Sequence, residues 1–434
     1  MADSPDTSNR CVDAPVDVIV IGGGVIGLAV AWRLARRGST VAVVDDDPAG
    51  GASRAAAGML APVTEAHFGE EALTALNLES ARRWPGFAAE IEEASGTSVG
   101  YRPAGTLAVA FDDDDLAMLT DLRAYHARLG LPGQRLRGRE CRALEPLLSP
   151  RIRGGILVES DHQVDTRALT AALLIAAERA GVSLLRRRAA RLDVAGAGER
   201  AVGVTLSSGE SLRARVTVLA AGCWSAALPG LPPEVCPPVR PVKGQILRLR
   251  AADPSAPRLT CTVRGLRRGR SIYAVPRADG RVVVGATVEE KGWDTTVTAG
   301  AVRELLEDAT EVVPALGELE LAETLARLRP GTPDNGPILG ASALPGLVMA
   351  TGHYRNGILL TPITADAVAG TALGEPLPAV AAPFSARRFN TAPCSGGGRG
   401  PGDRGCPPDN GGVSRQRQGP GRGGEAARST GALA

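Results

Sequence analysis

Residues 18–45, VIVIGGGVIGLAVAWRLARRGSTVAVVD, restrict the fold of this chain more than any other stretch. An apolar, β-branched run ends in glycine, an apolar helical pattern follows and stops at Gly38, and a second β-branched run ends on Asp45. This reads as a strand–turn–helix–strand unit of about 30 residues. Each glycine of Gly22-Gly23-Gly24-Val25-Ile26-Gly27 has a separate task. Gly22 permits the tight turn, Gly24 lets a pyrophosphate approach the backbone, and Gly27 lets the helix pack on the strand. Asp45, about 20 residues on at a strand end, suits ribose hydroxyls. A carboxylate there repels a 2′-phosphate, which disfavours NADP. FAD and NAD both satisfy such a clamp. Its position near the start of the chain favours FAD, and no second GxGxxG follows to build a separate NAD domain.

Length and composition narrow the class. The chain has 434 residues, enough for two or three domain-sized units. A net charge of +2 implies no strong field for nucleic acid or membrane, and 3% aromatics disfavours a base-stacking platform. Seven cysteines are scattered without a CxxC pair, so neither a zinc ribbon nor a dithiol centre is signalled. His67, His126 and His162 stand apart without metal spacing, and no metal is expected. The start, MADSPDTSNRCVDAP, lacks a basic n-region and an apolar h-region. The apolar run LTAALLIAA (169–177) is too short to span a bilayer. A cytoplasmic protein is expected.

Beyond the clamp the pattern alternates. Helices are predicted in FGEEALTALNLESARRW, in DDDDLAMLTDLRAYHARLG, in DTRALTAALLIAAERAG with Asp165 as N-cap, and in TAGAVRELLEDATEVVPAL. The four acids at 112–115 read as a solvated helix start. SIYAVPRADGRVVVGAT reads as a hairpin turning at Ala-Asp-Gly. The expected fold class is α/β plus α+β: a Rossmann-like FAD-binding domain and a substrate domain on a mixed or antiparallel sheet. The expected division is a disordered 1–15, an FAD-binding domain from 16–63, 150–235 and 321–389, and a substrate domain from 64–149 and 236–320. The stretch 390–434 is rich in Gly, Pro and Arg and nearly devoid of large apolar residues, which predicts disorder.

The segment GGASRAAAGMLAP (50–62) is built of small residues that would let backbone reach a flat ring and a phosphate chain, or is a plain loop. Together with GGGVIGLAVAWRLA, VLAAGCWS, LRPGTPDNGPILG and GHYRNGILLTP, it resembles the glycine oxidase branch of the D-amino-acid oxidase-type flavoproteins. The resemblance runs from about residue 16 to about residue 389, and the tail has no counterpart in it. It implies non-covalent, extended FAD, since no cysteine stands in RPGTPDNG or GHYRNG to tether it. Matched by motif, Gly22, Gly24, Val25, Ile26 and Gly27 would hold the pyrophosphate, and Asp45 and Asp46 the ribose. Ala52 and Ser53 would support the phosphates, and Ala57, Gly58 and Met59 would approach the flavin. His353, Tyr354, Arg355, Asn356, Gly357, Ile358 and Leu359 would wrap its other side. Arg191 (or its neighbour Ala190) would lie near the adenine, with Gly222 where backbone must come close and Trp224 packed beside that loop.

The same resemblance assigns the substrate side. Arg329 and Arg355 would face a carboxylate, which a guanidinium holds by planar, charge-assisted bonds. Tyr273 would reach the same carboxylate, although it could also be a cross-strand packing residue. No side chain is assigned as a catalytic base. The implied reaction is oxidative deamination of glycine, and of small amines such as sarcosine or small D-amino acids, to the imine or glyoxylate. Dioxygen would be reduced to hydrogen peroxide, the imine could pass to thiazole formation in thiamine biosynthesis, and a homotetramer is expected. Two rivals stay open: a D-amino-acid or imino-acid dehydrogenase passing electrons to a quinone or other acceptor, and a non-catalytic nucleotide-binding protein whose basic tail binds nucleic acid.

Overall fold

Two eight-stranded sheets organise the chain. The computed structural model describes residues 15–196, 199–253, 255 and 257–389. The lead-in before residue 15, the stretch from 390, and Cys11, Cys394 and Cys406 lie outside the described residues. The first sheet runs Ile338–Ala341, Leu347–Thr351, Ser211–Leu219, Val16–Ile21, Val41–Val44, Ser183–Leu185. The four strands from Leu347–Thr351 to Val41–Val44 and the short Ser183–Leu185 are mutually parallel. Ala189–Ala195 and Arg200–Leu206 extend it as an antiparallel ribbon.

Parallel strands buried on both faces need continuous apolar runs, which explains why Val18, Ile19, Val20 and Ile21 are all buried. One face packs against helices Val25–Arg36, Glu71–Ser95, Thr166–Arg179 and Thr361–Ala372, with Trp32, Trp84 and Phe87 in contact. A smaller core built on Ile19, Ile21, Val44 and Met349 covers the other face.

The second sheet is mixed. Its order is Glu320–Gly331, Arg240–Arg250, Arg281–Gly285, Arg270–Pro276, Thr262–Arg267, Thr106–Ala110, Gly154–Val158, Gln134–Arg137. All neighbours are antiparallel except Thr262–Arg267 and Thr106–Ala110. Helix Ala299–Val312 covers its outer face through Leu305, Ala309 and Val312. The inner face brings Ile246, Val275 and Val283 onto Ala55 and Ala57, so the small-residue segment is clamped between the two sheets.

Local signals hold where they have a stereochemical cause. Asp165 caps its helix by accepting from the N–H groups of Arg167 and Ala168, and Gly280 closes the hairpin at φ +88°. Three expectations need correction. Strands Gly154–Val158 and Glu320–Gly331 belong to the second sheet rather than the first, and helix Glu71–Ser95 packs in the core of the first. Asp115 is not solvated: it is fully buried, accepting from the backbone N–H groups of Arg268 and Gly269. Trp224 is not packed beside a loop in the interior: it is 48% exposed, its ring 5.6 Å from the likewise exposed Trp293. Among the described residues no helix is long and apolar enough to cross a membrane.

Candidate functional site

The clamp is built as its glycines require. A Cβ at Gly22, which sits at φ +106°, would stand 2.4 Å from the Ala220 carbonyl oxygen, and one at Gly27 would stand 1.9 Å from that of Gly22. Neither position admits a side chain. At Gly24 a Cβ would meet only Ser53 Oγ, at 3.6 Å, so this face is open. Helix Val25–Arg36 starts there with no acid in its first turn. Its leading N–H groups and positive dipole end are therefore available to an anion. Ser53 Oγ accepts from the Val25 N–H at 3.1 Å and so joins the small-residue segment to the helix start. Asp45 accepts from the N–H groups of Gly23 and Asp47, and burial pushes its carboxyl up. Asp46 follows it with an exposed side chain.

The segment Ala52–Met59 is held from behind by groups that sequence reading passed over. Arg248 donates to the Arg54 carbonyl at 2.9 Å, Thr166 to that of Ala56 at 2.9 Å, and Arg277 to that of Ala57. Arg277 also donates to Gln163 and the Val164 carbonyl, and burial pushes it down to about 10. Gly58, at φ +75°, has no room for a Cβ beside Val164 O. A buried arginine has no local sequence signature, so this support was not legible.

Residues 353–359 form a tight turn before helix Thr361–Ala372. The Leu359 carbonyl accepts from Ser80 Oγ at 2.7 Å and from the Trp84 indole at 2.8 Å. His353 is buried, bonded to Thr364 Oγ1 at 3.0 Å, and burial pushes it down to about 3, so it is a neutral structural imidazole. The Tyr354 N–H donates to the Pro330 carbonyl at 3.1 Å, which ties this turn to the strand that carries Arg329. Gly222, at φ +55°, lies beside the clamp, its carbonyl accepting from Thr351. Arg191 lies outside this gathering: it is mostly exposed and pairs with Asp193 at 3.4 Å.

On the second sheet two strand glycines seat two polar side chains against the inner face, in a cluster termed the chamber. A Cβ at Gly244 would stand 2.3 Å from Arg329 Nη1, and one at Gly285 would stand 2.4 Å from the Tyr273 hydroxyl. The arginine and the tyrosine thus lie flat over adjacent strands, on the same inner face as Ile246 and Leu325. Arg329 Nη1 donates to the Thr287 carbonyl at 3.0 Å. Thr287 belongs to a loop fixed from the outer face, where the fully buried Lys243 reaches Asp294 at 2.6 Å. Burial keeps the Tyr273 hydroxyl protonated to higher pH than usual, while the neighbouring Arg329 pulls the other way.

Two ion pairs flank the chamber. Glu65 pairs with Arg264, which is directly opposite Tyr273 across strands. Burial works to raise the Glu65 carboxyl, but the Arg264 charge overrides it and holds it low. Arg355 pairs with Glu70 at 3.0 Å, and Asn335 Nδ2 donates to the same carboxylate at 2.7 Å. Burial and then the Arg355 charge lower the pKa of His67 between them. The segment that bears Glu65, His67 and Glu70 is fixed by the buried Asp161. Asp161 accepts from the N–H groups of Val63 and Thr64 at 3.1 and 2.9 Å and from the Thr64 hydroxyl at 2.6 Å. Burial pushes that carboxyl up to about 6. No cluster of metal-ligating side chains occurs among the described residues.

These residues fit an extended FAD. The helix start and Gly24 leave an open anion face, Asp45 would take the ribose hydroxyls, and the small-residue segment faces the inner sheet. The buried Asn356 Oδ1 has no hydrogen-bond partner among the described residues.

Comparison with known proteins agrees. The family model DAO, FAD dependent oxidoreductase, matches residues 17–371. The bifunctional protein ThiO/ThiG of Nostoc sp. is 37% identical over 353 residues, covering 81% of this chain and 52% of that protein. The chain thus spans about half the length of the ThiO/ThiG relatives it matches. Glycine oxidase of Geobacillus kaustophilus is 34% identical, covering 86% of this chain and 97% of that one. The hydrogen cyanide synthase subunit HcnC of Pseudomonas aeruginosa is 32% identical, covering 87% and 97%. The crystal structure of the Geobacillus glycine oxidase superposes with a TM-score of 0.78, covering 86% of this chain and 99% of that chain. The chain belongs to the DAO family of FAD-dependent oxidoreductases.

Proposed function

We propose that the protein oxidises glycine, and other small amines such as sarcosine or small D-amino acids, to the imine, which hydrolyses to glyoxylate and ammonia. The observation that carries this reading is the chamber over Gly244 and Gly285, where Arg329 and the Tyr273 hydroxyl lie side by side. Arg329 donates to carbonyls, and among the described residues no carboxylate stands within ion-pair distance of it. It is therefore free to take a substrate carboxylate, and Tyr273 supplies a second donor. Fixing that end orients the α-carbon toward the cofactor cradle between the sheets.

Burial also disfavours a charged amine in the chamber, so the neutral amine, whose lone pair assists loss of hydride, is the reactive form. His353 is buried and neutral and is assigned no proton transfer. FAD, when bound non-covalently, would supply the hydride acceptor, with dioxygen as the proposed oxidant and hydrogen peroxide as its product. Arg355, expected beside the substrate carboxylate, is paired with Glu70 instead. The likeness to ThiO/ThiG supports a role in feeding the imine to thiazole formation. A cytoplasmic homotetramer is part of the proposal.

The test is anaerobic addition of glycine to the purified yellow protein. Bleaching of the flavin, with peroxide formed on admitting air, is the expected result. Glycine, sarcosine, D-alanine and D-proline are compared in the same assay. Bleaching without peroxide would assign a dehydrogenase, and no bleaching by any of them would remove the amine-oxidation reading.

A further inference from the structure

Three guanidinium groups surround the chamber, but they are not equivalent. Arg264 is committed to Glu65 and Arg355 to Glu70, while Arg329 is bonded to carbonyl oxygens. Arg264 stands directly opposite Tyr273 across strands, and the Tyr354 N–H bond to the Pro330 carbonyl holds the turn bearing Arg355 against the strand that carries Arg329. Three arginines and two glutamates leave one net positive charge, the complement of one carboxylate.

We propose that Glu65 and Glu70 are specificity-determining residues: they occupy Arg264 and Arg355 as built-in carboxylates, so that the site accepts amines with one carboxylate and rejects those with two. This rests on the reading of Arg329 as the substrate anchor. A second substrate carboxylate entering the chamber would meet a glutamate already seated on each remaining arginine. It would have to displace that glutamate or lie beside it, and like charges in a partly desolvated site repel strongly. The pairs are fixed, not incidental. Asn335 steadies Glu70, and Asp161 pins the backbone at Val63 and Thr64, next to Glu65. Local sequence gives no sign of this, because the glutamates lie 199 and 285 residues from their partners.

The experiment uses the FAD-loaded protein and two unreactive ligands, acetate and malonate, whose binding is read from the perturbed flavin spectrum. Wild type should bind acetate, and Arg329→Ala should lose that binding. In Glu70→Gln, which keeps an oxygen for Asn335, and separately in Glu65→Gln, the ratio of malonate to acetate affinity should rise roughly 10-fold or more, as a freed guanidinium gains a partner. Oxidation of iminodiacetate relative to glycine should rise with it. An unchanged ratio in both variants, with acetate still bound through Arg329, would overturn this proposal and leave the proposed function standing. Acetate bound equally well by Arg329→Ala would overturn both.

Discussion

At the scale of single residues, the chamber depends on what two strand positions lack. A glycine inside a strand weakens it, and its usual warrant is the close approach of another group. At Gly285 that group is the Tyr273 hydroxyl. Gly285→Ala would push the ring off its floor, and overpacking of this kind costs about 1–3 kcal/mol. The expected outcome is a lower melting temperature and a raised KM for glycine with FAD retained, measured by thermal unfolding and steady-state kinetics. Arg329→Ala removes the charged anchor itself. Hydrogen bonds to charged groups contribute about 1.5–3 kcal/mol, so KM for glycine should rise roughly 10- to 150-fold while the flavin absorbance of the purified protein is unchanged. Arg329 and Tyr273 could be singled out by motif. Gly244 and Gly285 could not, because their use appears only once cross-strand register sets them under those two side chains.

At the scale of elements, the glycine clamp was the most legible part. Its strand, turn, helix and second strand are all local, and each glycine has a steric cause within a few residues. Partners distant in sequence were not legible. Asp161 meets Thr64 across 97 residues, and Arg277 meets Ala57 across 220. Asp161 gives the segment from Val63 to Glu70 a pH dependence. Its carboxyl is held at about 6, above the usual value of 3.8. The folded protein therefore grips this proton more tightly than the unfolded chain. The stabilisation this provides is complete below the ordinary value and is lost as pH rises through about 6. The three bonds to Val63 and Thr64, however, are made best by the ionised form. Burial outweighs those bonds, so as pH rises through about 6 the segment should slacken and KM for glycine should rise. Asp161→Asn should abolish that inflection and increase hydrogen exchange at residues 63–70.

At the scale of the whole molecule, two sheets meet over one small-residue segment, and the chain crosses between them several times. Three elements lie elsewhere than the expected division put them, and helix Glu71–Ser95 packs in the core of the first sheet. Strands Gly154–Val158 and Glu320–Gly331 join the second sheet, because pairing partners rather than sequence neighbours decide membership. A chain ended at Phe389 should keep its flavin and its glycine turnover within about two-fold, since the tail's composition gives it little apolar surface to bury. Loss of either on trimming would assign the tail a role in the reaction.

Strand Glu320–Gly331 carries a consequence for assembly of the site. Arg327 donates to the Gly50 carbonyl at the edge of the cofactor segment, and Arg329, two residues on, lies over the chamber floor. In a strand, alternate residues share a face and a slip of one reverses them all. A one-residue slip of this strand turns both arginines to the outer face together. Such a slip leaves no half-built version in which the cofactor is gripped but the substrate anchor is missing. Folding errors here should yield molecules silent in both respects, so the fraction of yellow protein in a preparation should equal the fraction competent to bind acetate.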